Sequence, residues 1–346
     1  MTAAKAAGDR APGRDPAPAT RSAAAPASAR PALARVPPGL FGIALGTLGL
    51  AGAWQRLLPL AGPFAGEAAA TLRGGGLAIL VVLTLLWIAK LARHPAVVAG
   101  EWKHPVAGSL LALLPLSWLL AVALVVPLEP AWRDPALWFT LALFVMQGAL
   151  AWQVVSQLST GRLPAELLSP ALYLPIVGGG FVGAMALSAL GLMGWAALLF
   201  GMGAGGWALL EVRILHRLFA GPLPPELRPT LGIEIAPAAV GTLTVAALWP
   251  QLPGEFLMIG LGIASGPVLA VLTRWRWWTA VPFTAGFWSF SFPLAALAGS
   301  AVEAVRRAGW PAEVALAAVV IASAVIAFLA VRTVLLLLAG RLLPPK

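Results

Sequence analysis

Ten apolar stretches, each long enough to cross a bilayer, occupy the chain from residue 39 to residue 338. A helix rises about 1.5 Å per residue and the hydrocarbon core is about 30 Å thick, so roughly 20 apolar residues make one crossing. The stretches cover residues 39–54, 74–91, 106–126, 136–158, 171–192, 194–215, 230–249, 256–273, 281–302 and 314–338. With 60% hydrophobic and 10% charged residues, the chain lacks the polar surface that would cover a water-soluble core of this apolarity. The expected fold is therefore an all-α membrane protein with ten transmembrane helices, held in one domain over residues 37–343.

The formal charge of +10 raises the question of nucleic acid. Position argues against such a partner, because the basic residues sit at span ends and in the first 36 residues. With the N-terminus inside, 18 of the 23 basic residues fall in inner segments. The outer five are Arg56, Arg73, Arg133, Arg306 and Arg307. That bias has the sign of the positive-inside rule, so both termini of this multi-pass chain are expected in the cytoplasm. Residues 1–36 are rich in Ala, Pro and Arg without an apolar run, and read as a disordered cytoplasmic tail. Cysteine is absent, and His94, His104 and His216 all fall in connecting segments. No metal site or cofactor is expected.

Pro115, Pro175, Pro237 and Pro293 recur in the third, fifth, seventh and ninth stretches, 60, 62 and 56 residues apart. A proline removes a backbone donor and kinks the helix, which lipid tolerates only where protein or water satisfies the freed carbonyl. The odd spans are therefore expected to form an inner ring with the even spans outside, as two-helix units repeated five times.

Small residues share faces on these helices. Gly39, Gly42, Gly46, Gly49 and Ala53 follow helical spacing in the first stretch, and Gly180, Ala184, Ser188 and Gly191 do so in the fifth. Such stripes serve either close helix packing or a pore wall. In the ninth stretch, the face of Phe292 otherwise presents only Ala285, Ser289, Ala296 and Gly299, so one ring interrupts a narrow stripe beside Pro293. A ring protruding at a kink would plug a lumen by steric block and dewetting, although most apolar aromatics simply pack. Glu234 lies about a turn and a half into the seventh stretch, on the face of Ala238 and Gly241. It is a candidate ion or proton site, or else an interfacial carboxylate near Arg228. Glu211 and Arg213 are expected to form a structural ion pair.

The spans also carry recognisable wording: Pro37-Pro38-Gly39-Leu40-Phe41-Gly42-Ile43-Ala44-Leu45-Gly46-Thr47, His104-Pro105-Val106, Leu172-Tyr173-Leu174-Pro175, Pro229-Thr230-Leu231-Gly232-Ile233-Glu234-Ile235-Ala236-Pro237, Pro282-Phe283 and Phe287-Trp288-Ser289-Phe290-Ser291-Phe292. In this order they resemble the tellurite-resistance/dicarboxylate-transporter family, the bacterial TehA-like proteins and their relatives the plant slow anion channels. The resemblance implies ten helices as five helical hairpins, kinked odd helices around a central pore, and a homotrimer of separate pores. It also implies a phenylalanine gate, which falls on Phe292. With this bacterial resemblance, the expected location is the inner membrane. Close bacterial relatives tend to carry glutamine where this chain has Glu234.

Together these readings predict an anion channel in the lipid bilayer that passes small anions through a central pore occluded by Phe292. The expected pore wall comprises Gly42, Gly46, Gly49, Pro115, Pro175, Gly180, Ala184, Pro237, Gly241, Ser289, Pro293 and Ala296. The competing reading is a secondary transporter exporting a weak-acid anion such as a dicarboxylate or sulfite, coupled to a proton on Glu234. An intramembrane enzyme is not expected: no span holds a His or Asp, and no carboxylate pair or serine–base spacing occurs.

Overall fold

The computed structural model describes residues 31–343, so the first 30 residues of the expected tail lie outside the described part. The first long helix, α1 (Phe41–Ala61), has 21 residues, enough for about 31 Å. Its four glycines and the pair Gln55–Arg56 dilute its hydropathy. Nine further stretches are long and apolar enough to cross a membrane: α2 (Pro63–Arg93), α3 (Pro105–Val125), α4 (Pro130–Ser159), α5 (Pro170–Ala189), α6 (Met193–Ala220), α7 (Pro225–Leu248), α8 (Gly254–Thr273), α9 (Ala285–Ala308) and α10 (Ala312–Leu338). Among the described residues no strand occurs.

Burial separates two layers. In α3, α5, α7 and α9, 72–83% of the most apolar window is buried inside the protein, against 17–28% in the five even-numbered helices. The inner helices touch in the order α1, α3, α5, α7, α9 and back to α1, which closes a ring. Each also packs on the helix that follows it in sequence. The even helices turn large apolar side chains such as Val145, Leu209, Phe219 and Leu338 outward, where lipid is their solvent.

The prolines shape the inner helices as the sequence leads one to expect. The missing N–H of Pro115 leaves the carbonyl of Leu111 without its helical donor, and α3 is interrupted there, between Pro105–Leu111 and Leu113–Val125. In α5 a π-helical stretch, Leu174–Gly178, surrounds Pro175 before regular helix resumes at Gly179. The Nε2 of Gln147 in α4 donates to the carbonyls of Leu174 (3.2 Å) and Pro175 (2.8 Å), adding side-chain bonds to the backbone of this widened turn. The first parts of α7 (Pro225–Ile235) and α9 (Ala285–Phe290) are 3₁₀ helix, and α-helix begins at Ala236 and Ser291. Proline is not confined to the inner layer, however, since Pro267 lies within outer helix α8.

Residues 31–36 depart from the expected tail. Ala32–Arg35 form a 3₁₀ turn with Ala34 buried. The ammonium of Lys90, fully buried, donates to the carbonyl of Val36 (2.6 Å) and pairs with Glu101 (2.5 Å). A buried lysine needs such partners, and satisfying it ties this segment to α2 and to the short helix Pro95–Lys103.

Ring closure depends on α1 lacking side chains where α9 crosses it. A Cβ on Gly42 would lie 3.3 Å from Trp288 Cβ, and one on Gly46 would run into the Ser291 side chain. Gly46→Ala should therefore cost about 1–3 kcal/mol through overpacking. Gly75→Ala on α2, where nothing lies within 4 Å, should leave stability unchanged or slightly higher. Thermal melts of the two variants in detergent check the contrast.

Candidate functional site

Two cavities lie within the ring, and Phe292 borders both. The larger, about 240 Å³, takes walls from all five inner helices: Gly49, Gly52 and Arg56 of α1, Leu120, Ala123 and Leu124 of α3, Met185, Ser188 and Ala189 of α5, Leu243 and Ala247 of α7, and Ala296 of α9. The smaller, about 30 Å³, holds little more than one or two waters and is lined by apolar side chains. Leu45, Leu116, Val177, Phe181, Ile233, Pro237 and Val240 surround it, with the ring of Tyr173. The Phe292 ring rests against α1, where a Cβ on Gly49 would lie 2.8 Å from its Cδ2.

Of the residues expected on the pore wall, Gly49, Pro237 and Ala296 border these cavities. The others take different places. Gly42 and Gly46 form the seam with α9, and a Cβ on Gly180 would meet the backbone of Gly203 in α6. Ala184 packs with Ala196 and Leu248 on the outer side of α5, and Gly241 lies under the Phe181 ring. Ser289 donates its hydroxyl to the carbonyl of Pro229. Pro115, Pro175 and Pro293 border neither cavity, although their neighbours Leu116, Leu174 and Phe292 do. Much of the small-residue pattern thus serves close helix approach.

Glu234 faces away from the axis. It is buried, and neither carboxylate oxygen has a hydrogen-bond partner among the described residues. With Glu211, Leu215, Pro267 and Arg274 it lines a lateral cavity of about 270 Å³ walled by α6, α7 and α8. Glu211 does not pair with Arg213: it accepts from the hydroxyl of Tyr173 (2.5 Å) and from Trp207 Nε1 (2.8 Å). Residues two apart on a helix point to different faces, which separates Glu211 from Arg213. Tyr173 thereby joins the two regions, its ring on the small axial cavity and its hydroxyl on the lateral acid. Among the described residues no group of three or more His, Asp or Glu side chains is placed to hold a metal ion.

Arg56, expected in an outer connection, is a site residue: α1 continues past it and carries it into the wall of the larger cavity. The signal was available, since Gly42, Gly46, Gly49, Ala53 and Arg56 continue one 4-3-4-3 spacing. Arg56 donates to the carbonyl of Gly52 (2.9 Å) and lies 3.7 Å from Glu303. Glu303 is itself buried and also receives Arg306 (2.7 Å) and Arg307 (3.1 Å). Three guanidinium groups around one carboxylate give this cluster a net positive charge. Glu303→Gln should lower stability by about 1–3 kcal/mol, because three guanidinium groups, two of them half-buried, lose their shared charged acceptor. Arg306→Gln, on an exposed partner, should cost less than about 1 kcal/mol. Thermal melts of both variants measure the difference.

Comparison with known proteins agrees with this architecture. The chain is 29% identical over 272 residues to the tellurite resistance protein TehA homolog of Haemophilus influenzae, covering 77% of this chain and 80% of that protein. It is 24% identical over 270 residues to the guard cell S-type anion channel SLAC1 of Arabidopsis thaliana, and 24% identical over 234 residues to the S-type anion channel SLAH2 of the same plant. These matches cover 75% and 66% of this chain but only 47% and 44% of the plant proteins, so the chain spans less than half of their length. Residues 35–335, which hold the whole inner ring, match the family model described as voltage-dependent anion channel (SLAC1), and the chain belongs to that family.

Proposed function

We propose that the protein is an anion channel whose path follows the axis of the inner ring and is closed by the side chain of Phe292. The observation that carries this reading is the position of that ring, bordering a wide cavity on one side and a narrow apolar one on the other. The narrow side is lined by apolar groups and expels water readily, so a small blockade there stops ions. Anion preference is supported by Arg56 in the wide cavity, with Arg306 and Arg307 behind it. These charges attract an anion without binding it tightly, as rapid passage requires. The substrates in this reading are small monovalent anions. The protein acts as a homotrimer in the inner membrane with both termini in the cytoplasm, a placement supported by the basic bias of one set of connections.

The gate is tested in planar bilayers. Phe292→Ala should raise anion current about tenfold or more, equivalent to about 1.4 kcal/mol off the barrier, with current linear in concentration. An unchanged current would remove Phe292 from the path. Arg56→Gln should reduce anion current roughly threefold at low ionic strength, and the loss should fade near 1 M salt, where the screening length is about 3 Å.

A transporter reading draws on one observation, the buried and unpartnered Glu234. Its place in the lateral cavity, away from Phe292, favours the channel. In the channel reading Glu234→Gln leaves flux unsaturated and without a change in its pH dependence. Saturable, pH-driven flux that disappears in this variant would establish proton-coupled transport instead.

A further inference from the structure

Where the described chain begins, one end of the ring carries an arrangement that the pore does not use. The sequence Arg274-Trp275-Arg276-Trp277-Trp278 connects α8 to α9, with Trp275–Trp278 in a single helical turn. Arg274 and Arg276 are exposed, and Trp275 is 53% exposed. The Arg276 guanidinium lies 5.5 Å from the Trp275 ring, and that of Arg228 lies 4.7 Å from the Trp277 ring. Arg332 of α10 covers Phe283 at 5.2 Å. Among the described residues none of these four arginines makes an ion pair. Their carbon and ring neighbours are apolar and equally uncovered: Leu272 is 56% and Phe219 77% exposed, and Phe219 shares the wall of the lateral cavity with Arg274.

Arg228 already donates to the carbonyls of Leu223 (3.4 Å) and Trp277 (3.5 Å), whereas Arg274, Arg276 and Arg332 are exposed and free to meet an anion, and a planar guanidinium suits a phosphate. Tryptophan and arginine together at the end of a span mark the level of lipid headgroups. The apolar rims at Leu272, Trp275 and Phe219 suit the glycerol and acyl region of the same molecule. A freely soluble anion has no use for them. We propose that Arg274, Arg276, Arg228 and Arg332 form a docking surface for the phosphate of an anionic phospholipid, and that its occupancy acts on α9. The route is short. Trp278 stacks on Phe290 with ring centroids 4.6 Å apart and is fixed by its Nε1 donating to the carbonyl of Val271 (2.8 Å). Phe290 stands two residues before Phe292. The binding is independent of the pore reading, whereas its action on flux rests on it.

Native mass spectrometry of the full chain in detergent tests the binding, with phosphatidylglycerol against phosphatidylethanolamine as probes. The wild type retains phosphatidylglycerol preferentially. Each arginine at a membrane surface contributes about fivefold, so Arg274→Gln with Arg276→Gln should weaken that retention about thirtyfold and leave phosphatidylethanolamine unchanged. Arg162→Gln, an exposed arginine outside the aromatic group, should change nothing, and matching melting temperatures verify folding. Equal retention of both lipids by the wild type overturns the proposal without any variant. So does an equal loss in Arg162→Gln, or displacement of the lipid by inorganic phosphate at matching concentration. In vesicles, flux through the wild type should respond several-fold to added phosphatidylglycerol, while Trp278→Ala retains the lipid and loses the response. A Trp278→Ala variant responding like the wild type removes the link to α9, and loss of lipid retention in it places Trp278 in the docking surface itself.

Discussion

Closure of the ring rests on the contact between α1 and α9, the first and last inner helices. There Gly42, Gly46 and Gly49 meet Trp288, Ser291 and Phe292. The hydroxyl of Ser291 donates within α9 to the carbonyl of Trp288 (2.6 Å) and reaches the carbonyl of Gly42 (3.3 Å), 249 residues away in sequence. Lipid offers no hydrophobic gain for bringing two apolar helices together, so contact area and such cross-helix polar contacts must hold the seam. The same seam sets the position of the Phe292 ring, since only a glycine at position 49 lets it lie against α1. Architecture and candidate gate therefore depend on the same few missing side chains.

A second constraint is that no backbone polar group in the hydrocarbon region can rely on water. Each inner proline breaks the pattern of helical bonds, and the breaks are resolved differently. In α3 the helix is simply interrupted near Ala112, and in α7 and α9 the stretch before the proline tightens to 3₁₀ bonding. In α5 the amide of Gln147 reaches in from α4. Outer helices contribute polar side chains to inner ones in this way, which explains why Gln147 is buried within a helix otherwise turned toward lipid.

The ring itself was legible from the spacing of Pro115, Pro175, Pro237 and Pro293, because kinks demand protein on all sides. Pro267 in α8 shows that the rule runs in one direction only. The small-residue stripes were less legible. A glycine marks close approach, but whether it approaches a helix or an open lumen depends on what crosses it, and that information resides in another part of the chain. Gly46 and Gly180 contact helices, whereas Gly49, on the same stripe as Gly46, reaches the cavity. Arg56 was readable from its register and was hidden by placing the end of the first span at residue 54. The partners of Glu211, Tyr173 and Trp207, were partly readable, since Trp207 stands one helical turn before it.

The unequal sizes of the two axial cavities have a consequence for the energetics of the proposed path. An anion can enter the space of about 240 Å³ with much of its hydration shell, but the space of about 30 Å³ admits almost none of it. Dehydration is thus concentrated in a single step at Phe292 instead of being spread along the ring. With a wide cavity carrying Arg56 on one side of that barrier and a narrow apolar one on the other, the proposed path is asymmetric, so equal voltages of opposite sign would drive unequal currents. For the same reason an impermeant anion too large for the narrow side would block from the Arg56 end alone.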